Sequence, residues 1–207
     1  MSNERLPRQV EFILEIDKLK TILRQTYLMD GSRRENSAEH TWHLTVMALV
    51  LSEYANAPVN LFQVLKMLVV HDIVEIDAGD TYIYDERASL DKAAREEAAA
   101  DRLFGLLPAD QAAELRALWN EFEQRQTPEA RFAAALDRLM PLLHNYHTQG
   151  KSWQAHGVTA DRVVARVRHI EEGSQALWDF AQGVIDAAVA HGYLAPAARP
   201  RNLPEDE

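Results

Sequence analysis

The residues best suited to chemistry lie in one short stretch, where His71 and Asp72 follow an apolar run and four carboxylates fall within nine positions. The four acids are Asp72, Glu75, Asp77 and Asp80. The preceding run, residues 64–68, is typical of a buried helix, and the dipole at the C-terminal end of a helix disfavours acids there. Buried carboxylates also repel one another unless a proton or a cation lies between them. A bound metal ion would resolve both conflicts, with His71 and Asp72 as one nitrogen and one oxygen ligand.

A His-Asp pair alone is more often structural than metal-binding, so the hypothesis depends on ligands from other helices. His40 lies near the start of a helix predicted over residues 38–54. Asp137 lies inside the apolar stripe of a helix predicted over residues 130–148, where a charge is costly unless it is paired or binds a metal. Taken singly, His40 could be an exposed or capping residue, and Asp137 could pair with Arg138. Together, two imidazoles and two carboxylates form a nitrogen–oxygen set suited to a divalent transition metal, with positions left for water.

The elements that must position these residues are all predicted to be helices, because apolar residues recur at helical spacing and no alternating strand pattern is present. The predicted fold is therefore all-α, a single-domain helical bundle. The predicted helices span residues 10–28, 38–54, 61–76, 90–107, 108–126 and 130–148, followed by one or two helices over 159–194. The predicted N-caps are Ser37, Asn60, Ser89, Thr127 and Thr159. The second helix is apolar most of the way round, which predicts a central position. Residues 1–9 are predicted to be an N-terminal extension, 10–194 the domain and 195–207 a flexible tail.

Bulk composition narrows the function classes. The 207 residues are 47% hydrophobic, enough for one sizeable core, and the formal net charge is -10. This charge argues against nucleic acid and anionic membranes as partners, although a local basic patch could hold a small phosphate. There is no cysteine, so any metal must be held by His, Asp and Glu. The chain has neither a signal-peptide core nor an apolar run of the ~20 residues that span a bilayer, which predicts a cytoplasmic protein.

Three motifs in order resemble the HD-domain metal-dependent phosphohydrolases, specifically the bacterial 5′-deoxynucleotidase branch, across residues 10–190. They are the segment 33–40 ending at His40, the segment 71–75 followed by Gly79 and Asp80, and the pair Asp137-Arg138. The resemblance implies an HD-type bundle, a homodimer and specific site residues. The implied metal ligands are His40, His71, Asp72 and Asp137; the implied acid/base or water-orienting residues are Glu75 and Asp80; the implied substrate-phosphate arginines are Arg24 and Arg33.

The chain departs from that branch beside the first arginine, where Gln25 and Thr26 stand in place of a tryptophan. His43 is a candidate partner or substitute for His40. His144 and His147 are expected at the surface or in a substrate loop.

The predicted activity is release of phosphate from nucleoside 5′-monophosphates, deoxynucleotides included, or from similar small phosphomonoesters by metal-activated water. No histidine lies between Asp72 and Asp137, which favours one divalent ion per chain (Mn, Co, Fe or Mg) over two. The alternatives are a phosphodiesterase, a (p)ppGpp-type pyrophosphohydrolase, or a non-catalytic module that binds metal or nucleotide. Intact Glu75 and Asp80 favour an enzyme.

Overall fold

The computed structural model describes residues 4–85 and 90–197, and this part of the chain is predominantly helical. The helices are α1 (Arg5–Ile16), α2 (Ser37–Leu51), α3 (Leu61–Val70), α4 (Glu75–Ala78), α5 (Lys92–Phe104), α6 (Ala109–Gln124), α7 (Pro128–His147), α8 (Lys151–Ala155), α9 (Ala160–Val167), α10 (Ile170–Gly173) and α11 (Gln175–Ala190). The same residues form 3₁₀ turns at Asp17–Thr21, Ser52–Tyr54 and His71–Val74, and a hairpin of β1 (Leu23–Tyr27) and β2 (Arg34–Asn36). The predicted all-α class is confirmed. Within the described ranges, no helix has both the length and the apolar character needed to cross a membrane.

Helix α7 lies at the centre of the core and contacts α2, α3, α6, α10 and α11. Its start is as predicted: the Thr127 hydroxyl accepts a hydrogen bond in the first turn, and Pro128 occupies the first helical position. Its apolar side is buried, and Asp137 is buried within it. The helix runs through Pro141, which has no N–H, so the Asp137 carbonyl loses its usual helical donor. Helix α7 thus carries one carboxylate into the interior.

The first predicted helix, residues 10–28, is wrong beyond Ile16, and the expectation of no strands is wrong with it. After α1 the chain makes a 3₁₀ turn and enters the antiparallel β1–β2 hairpin. The register pairs Leu23 with Asn36 and Tyr27 with Arg34, with an irregularity between them. Arg24 and Thr26 are buried, whereas the side chain of Leu23 is 55% exposed. In β1 the polar side chains therefore point inward and the apolar Leu23 points outward, the reverse of the usual alternation. Hydrophobic periodicity does not reveal such a strand.

Asn36, rather than the predicted Ser37, caps helix α2. Its side chain accepts a hydrogen bond from the Glu39 backbone N–H at 3.0 Å, and the Glu39 carboxylate accepts one from the Asn36 N–H at 2.9 Å. This reciprocal capping box satisfies two donors at the helix start. The Ser37 hydroxyl is left free to donate to Glu75 Oε2 at 2.6 Å, and it links α2 to the carboxylate cluster.

Helix α2 is buried on one side only, which corrects the expectation of a fully central helix. Leu44 and Ala48 are buried. The opposite side carries large apolar side chains in solvent: Trp42, Val46, Leu49 and Val50. These four exposed residues are called the α2 apolar face below.

The predicted third helix is confirmed for α3, and the Asn60 side chain caps it by accepting the Gln63 N–H. Beyond Val70 the backbone tightens into the 3₁₀ turn His71–Val74 and then forms the single turn α4. Gly79 ends α4 with φ +73°, a left-handed conformation that favours glycine. This turn sends the chain back so that Asp80 approaches the cluster.

The remaining predicted boundaries differ in detail. Helix α5 starts at Lys92, and the predicted cap Ser89 lies outside the described residues. The predicted loop 150–157 contains α8, and the segment 159–194 divides into α9, α10 and α11. Helix α1 begins at Arg5, inside the predicted extension, so the domain limits stay a prediction; residues 198–207 of the predicted tail are outside the described part.

Candidate active site

Three elements bring the four predicted metal ligands together. His40 comes from the first turn of α2, His71 and Asp72 from the 3₁₀ turn, and Asp137 from α7, and all four are buried. Asp137 Oδ1 lies 2.9 Å from His40 Nε2 and 3.7 Å from His71 Nε2, and Asp72 Oδ1 lies 3.0 Å from His71 Nε2. Neighbouring ligands around an octahedral ion with bonds of ~2.1 Å are about 3 Å apart. The spacing therefore suits a divalent ion.

The hydrogen bonds of His71 test this fit independently. Its Nδ1 lies 2.8 Å from the Leu68 carbonyl, which can only accept, so Nδ1 donates and a neutral ring presents the lone pair of Nε2. That Nε2 is buried and has no hydrogen-bond partner. A buried polar atom without a partner requires an explanation. A cation between His71 Nε2 and the Asp72 and Asp137 carboxylates supplies one, and His40, His71 and Asp137 form a group that could hold it.

Glu35, in β2, faces the far nitrogen of His40 without a hydrogen bond to it, and hydrophobic periodicity gave no sign of this neighbour. Its carboxylate is 1% exposed, accepts a hydrogen bond from Thr26 and lies 3.4 Å from His40 Nδ1. A carboxylate on the far nitrogen of a ligating histidine fixes the ring and raises its basicity. The available signal was position: Glu35 lies in the His40 motif, on the inward side of a short strand.

His144 was expected at the surface and is buried instead. Its Nδ1 lies 3.6 Å from Glu35 Oε2, and its ring lies 5.9 Å, between centroids, from the ring of half-buried His43, with an angle of 44° between the ring planes. Glu35, His43 and His144 make up a second group of metal-ligating side chains beside the first. His147 is exposed, as expected.

Arg24 lies among the acidic residues of the site. Its Nη1 is 2.8 Å from Asp72 Oδ2, 3.5 Å from Glu75 Oε1 and 3.7 Å from Asp80 Oδ1. The guanidinium is buried, so this one cation compensates three carboxyl groups in a poorly solvated place.

The carboxyl groups of the site differ in proton affinity. The pKa of Glu75 is raised to about 8, because burial and the neighbouring Asp72 and Asp80 carboxylates outweigh the opposing effect of Arg24. Burial also raises the pKa of Asp80. The positive charge of Arg24, 2.8 Å away, lowers the pKa of Asp72 against the effect of burial. Glu75 therefore retains a proton near neutral pH while Asp72 is ionised, a division of roles suited to acid–base chemistry.

A pocket adjoins the cluster. Its lining includes Arg24, Asp80, Tyr82, Tyr84, Arg138 and Asn145. Polar groups for an anion and aromatic rings for a planar group thus meet in one cavity.

The two predicted phosphate arginines lie in different places. Arg24 lines the pocket, whereas Arg33 is exposed and its Nη2 bonds Glu39 Oε2 at 2.8 Å. The structure does not bring Arg33 to the cluster. Arg138 also lines the pocket, with Nη2 3.5 Å from Asp137 Oδ2. The place of Arg138 in the pocket was not predicted from the sequence.

A family model described as the HD domain matches residues 16–178, which include every candidate ligand. The chain belongs to the HD-domain family. Among curated relatives, this HD domain is 30% identical over 135 residues to the human protein named 5′-deoxynucleotidase HDDC2, a match that spans 65% of each chain. It is 30% identical over 144 residues, or 69% of each chain, to the bovine protein of the same name.

Solved structures give the same fold. One from Magnetospirillum magnetotacticum, described as a predicted metal-dependent phosphohydrolase, is 58% identical with a TM-score of 0.90 and covers 93% of this chain and 97% of its own. An HD-domain phosphohydrolase from Listeria innocua is 18% identical with a TM-score of 0.64, covers 87% of this chain and 89% of its own, and supports the fold alone. The resemblance and the HD-type bundle predicted from the sequence are confirmed.

Proposed function

We propose that this HD domain is a metal-dependent phosphohydrolase that releases phosphate from nucleoside 5′-monophosphates, deoxynucleotides among them. The observation that carries the proposal is the buried group of His40, His71, Asp72 and Asp137 beside a pocket that contains Arg24. The names of the human and bovine relatives and the description of the Magnetospirillum protein support the same activity.

His40, His71, Asp72 and Asp137 are the residues that would hold the metal, with Glu35 orienting His40. A divalent ion bound there would lower the pKa of a bound water from ~15.7 toward ~7, and the ion would also polarise a phosphoryl oxygen. The mixed nitrogen–oxygen ligand set suits Mn, Co or Fe, and Mg is the remaining candidate. One such ion per chain is part of the proposal.

Glu75 and Asp80 carry the proton chemistry in this proposal. The Ser37 hydroxyl fixes one oxygen of Glu75, and the other faces Arg24, so this carboxyl is held at the edge of the cluster. Its raised pKa suits it to exchange a proton with the attacking water or the leaving oxygen. Asp80 lines the pocket and is placed to orient the water or to protonate the leaving oxygen.

The experiment that tests the proposed activity is a phosphate-release screen of nucleoside mono-, di- and triphosphates with Mn²⁺, Co²⁺, Fe²⁺ and Mg²⁺ supplied in turn. Release from monophosphates in a metal-dependent reaction supports the proposal. Cleavage confined to diesters or pyrophosphates would assign the site to one of the alternative phosphohydrolases. No turnover of any of these with any metal would favour a non-catalytic module.

Arg24 is the arginine that we expect to bind the substrate phosphate. Its planar fork bonds two oxygens at once, and it lines the pocket beside the ligands. Arg24→Ala is expected to raise KM and lower kcat, because a lost charge-assisted bond is worth about 1.5–3 kcal/mol, or roughly 10- to 150-fold in kcat/KM. Arg24→Lys is expected to restore activity only in part, since a point charge does not reproduce the fork. Steady-state phosphate release measures both.

Arg33→Ala is the matched control, because the Arg33 side chain bonds Glu39 on the surface. We expect it to keep wild-type kinetics. Full activity in both alanine variants would show that other residues, Arg138 first among them, bind the phosphate.

A homodimer is the proposed assembly, supported by the α2 apolar face. On α11, by contrast, Trp178 is buried, and α2 carries more large apolar side chains in solvent than α11 does. Large exposed apolar patches on a protein surface commonly mark protein–protein interfaces. Val50→Glu is expected to convert dimer to monomer in light scattering. Leu90→Glu, at an 87% exposed position off that face, is expected to leave the mass unchanged, and a monomeric wild-type protein would end the proposal.

The proposed partner is a small phosphorylated nucleotide, and the net charge of -10 argues against nucleic acid. Cytoplasmic residence stays a prediction of the sequence.

A further inference from the structure

A second cleft opens beside the substrate pocket, and four of its eight lining residues are cationic. Its lining residues are Thr81, Ile83, Lys92, Arg125, Arg138, Ala165, Arg166 and His169. Thr81, Ile83 and Arg138 also line the substrate pocket, so the two spaces are adjacent. The lining residues are called the basic cleft below.

The basic cleft holds an excess of positive charge in a protein whose net charge is -10. Lys92 Nζ is compensated by Glu96, 2.6 Å away, and Arg138 lies 3.5 Å from Asp137. In the described part of the chain, no carboxylate is recorded within ion-pair distance of Arg125 or Arg166. Two guanidinium groups therefore face the cleft without an acidic partner.

His169 adds a neutral donor to this surface. Burial, together with the positive charges of Arg138 and Arg125, lowers the pKa of His169 to about 4. The ring is therefore uncharged near neutral pH, and a neutral imidazole has one N–H that can donate to an anion. Three arginines and an imidazole N–H around one concave space match the oxygens of a tetrahedral oxyanion.

We propose that the basic cleft binds a phosphate group. It is a second anion site, distinct from the metal cluster. Two sources share this chemistry: free inorganic phosphate or pyrophosphate, and the distal phosphates of a nucleoside di- or triphosphate whose first phosphate lies in the pocket. Arg138 lines both the substrate pocket and the basic cleft. A nucleotide with its first phosphate in the pocket can therefore extend its distal phosphates into the adjacent cleft. The proposal concerns binding and does not depend on turnover.

The test is calorimetric titration of the metal-loaded protein with inorganic pyrophosphate and, separately, with a methylene-bridged nucleoside triphosphate analogue. The variant is Arg125→Gln with Arg166→Gln. Its matched control is Arg5→Gln with Arg168→Gln, which removes the same charge from exposed arginines paired with Asp110 and Glu171 outside the cleft. Circular dichroism checks that both variants are folded.

We expect the cleft variant to bind at least one of the two probes about tenfold or more weakly than the control does, since two charge-assisted contacts are lost. Weaker binding of pyrophosphate alone identifies a free anion as the occupant, and weaker binding of the triphosphate analogue identifies the distal phosphates. Wild-type affinity for both probes, or an equal loss in the control, would overturn the proposal. Because the titrations measure binding, a protein that releases no phosphate from nucleotides would fail the proposed function without altering this result.

Discussion

Asp72→Ala is expected to remove the metal and the activity together. Asp72 is buried, lies 3.0 Å from His71 Nε2 and approaches His40 Nε2 at 4.0 Å, and we propose that it completes the ligand set. Loss of a partner that merely orients a ligand costs ~10–100-fold in metal affinity or activity, and loss of a ligand is expected to cost on the order of 100-fold or more. Metal content by mass spectrometry after dialysis, and phosphate release on the same sample, measure the two effects.

Asp77→Ala is the control from the same stretch of chain. Asp77 lies five positions after Asp72, but its carboxylate bonds Arg102 Nη2 at 2.7 Å on the surface. It is expected to keep both metal and turnover. Full metal occupancy in a His71→Ala, Asp72→Ala double variant would show that the ion binds elsewhere; the group of Glu35, His43 and His144 would then be the next place to search.

Glu75→Gln is expected to keep the metal and lose most of the turnover. The glutamine amide oxygen can still accept from Ser37, so the local packing is preserved. The amide cannot exchange a proton, and removal of a general acid or base typically costs ~10²–10⁴-fold in rate. Metal content and kcat, measured in parallel, separate the two functions of the site.

Glu97→Gln provides the matched change at the surface, where Glu97 pairs with Arg116, and it is expected to leave kcat unaltered. Unchanged turnover in Glu75→Gln would assign Glu75 a structural role through Ser37. Loss of metal together with turnover would make Glu75 a ligand.

Asp72 and Asp137 were predictable because each breaks a local rule, and His40 and His71 were predicted as ligands only together with these two acids. Asp137 is an acid inside the apolar stripe of α7, and His71 and Asp72 end an apolar helix where the dipole disfavours acids. Such conflicts are visible in one sequence, and the structure brings these residues together. Helices α3 and α7 were also predictable, because strong periodicity coincides with side-chain caps at Asn60 and Thr127.

The hairpin and the surroundings of His40 were not predictable from hydrophobic pattern. In β1 the buried side chains are Arg24 and Thr26, which cover the site rather than the apolar core. Because polar residues point inward in this strand, its hydrophobic pattern does not predict a strand, and the segment was wrongly predicted as part of a helix. Glu35 and His144 are also buried polar residues, and the contact between them joins positions more than 100 residues apart. Single-sequence periodicity carries no record of such a contact.

The measurement that tests the metal-dependent activity most directly is phosphate release from a deoxynucleoside 5′-monophosphate by chelator-treated protein, titrated with one divalent metal at a time. The proposed site predicts no turnover without metal and a linear rise that reaches a plateau at about one ion per chain. Turnover that survives complete removal of metal, or a protein that binds the ion and still cleaves no nucleotide, would contradict it.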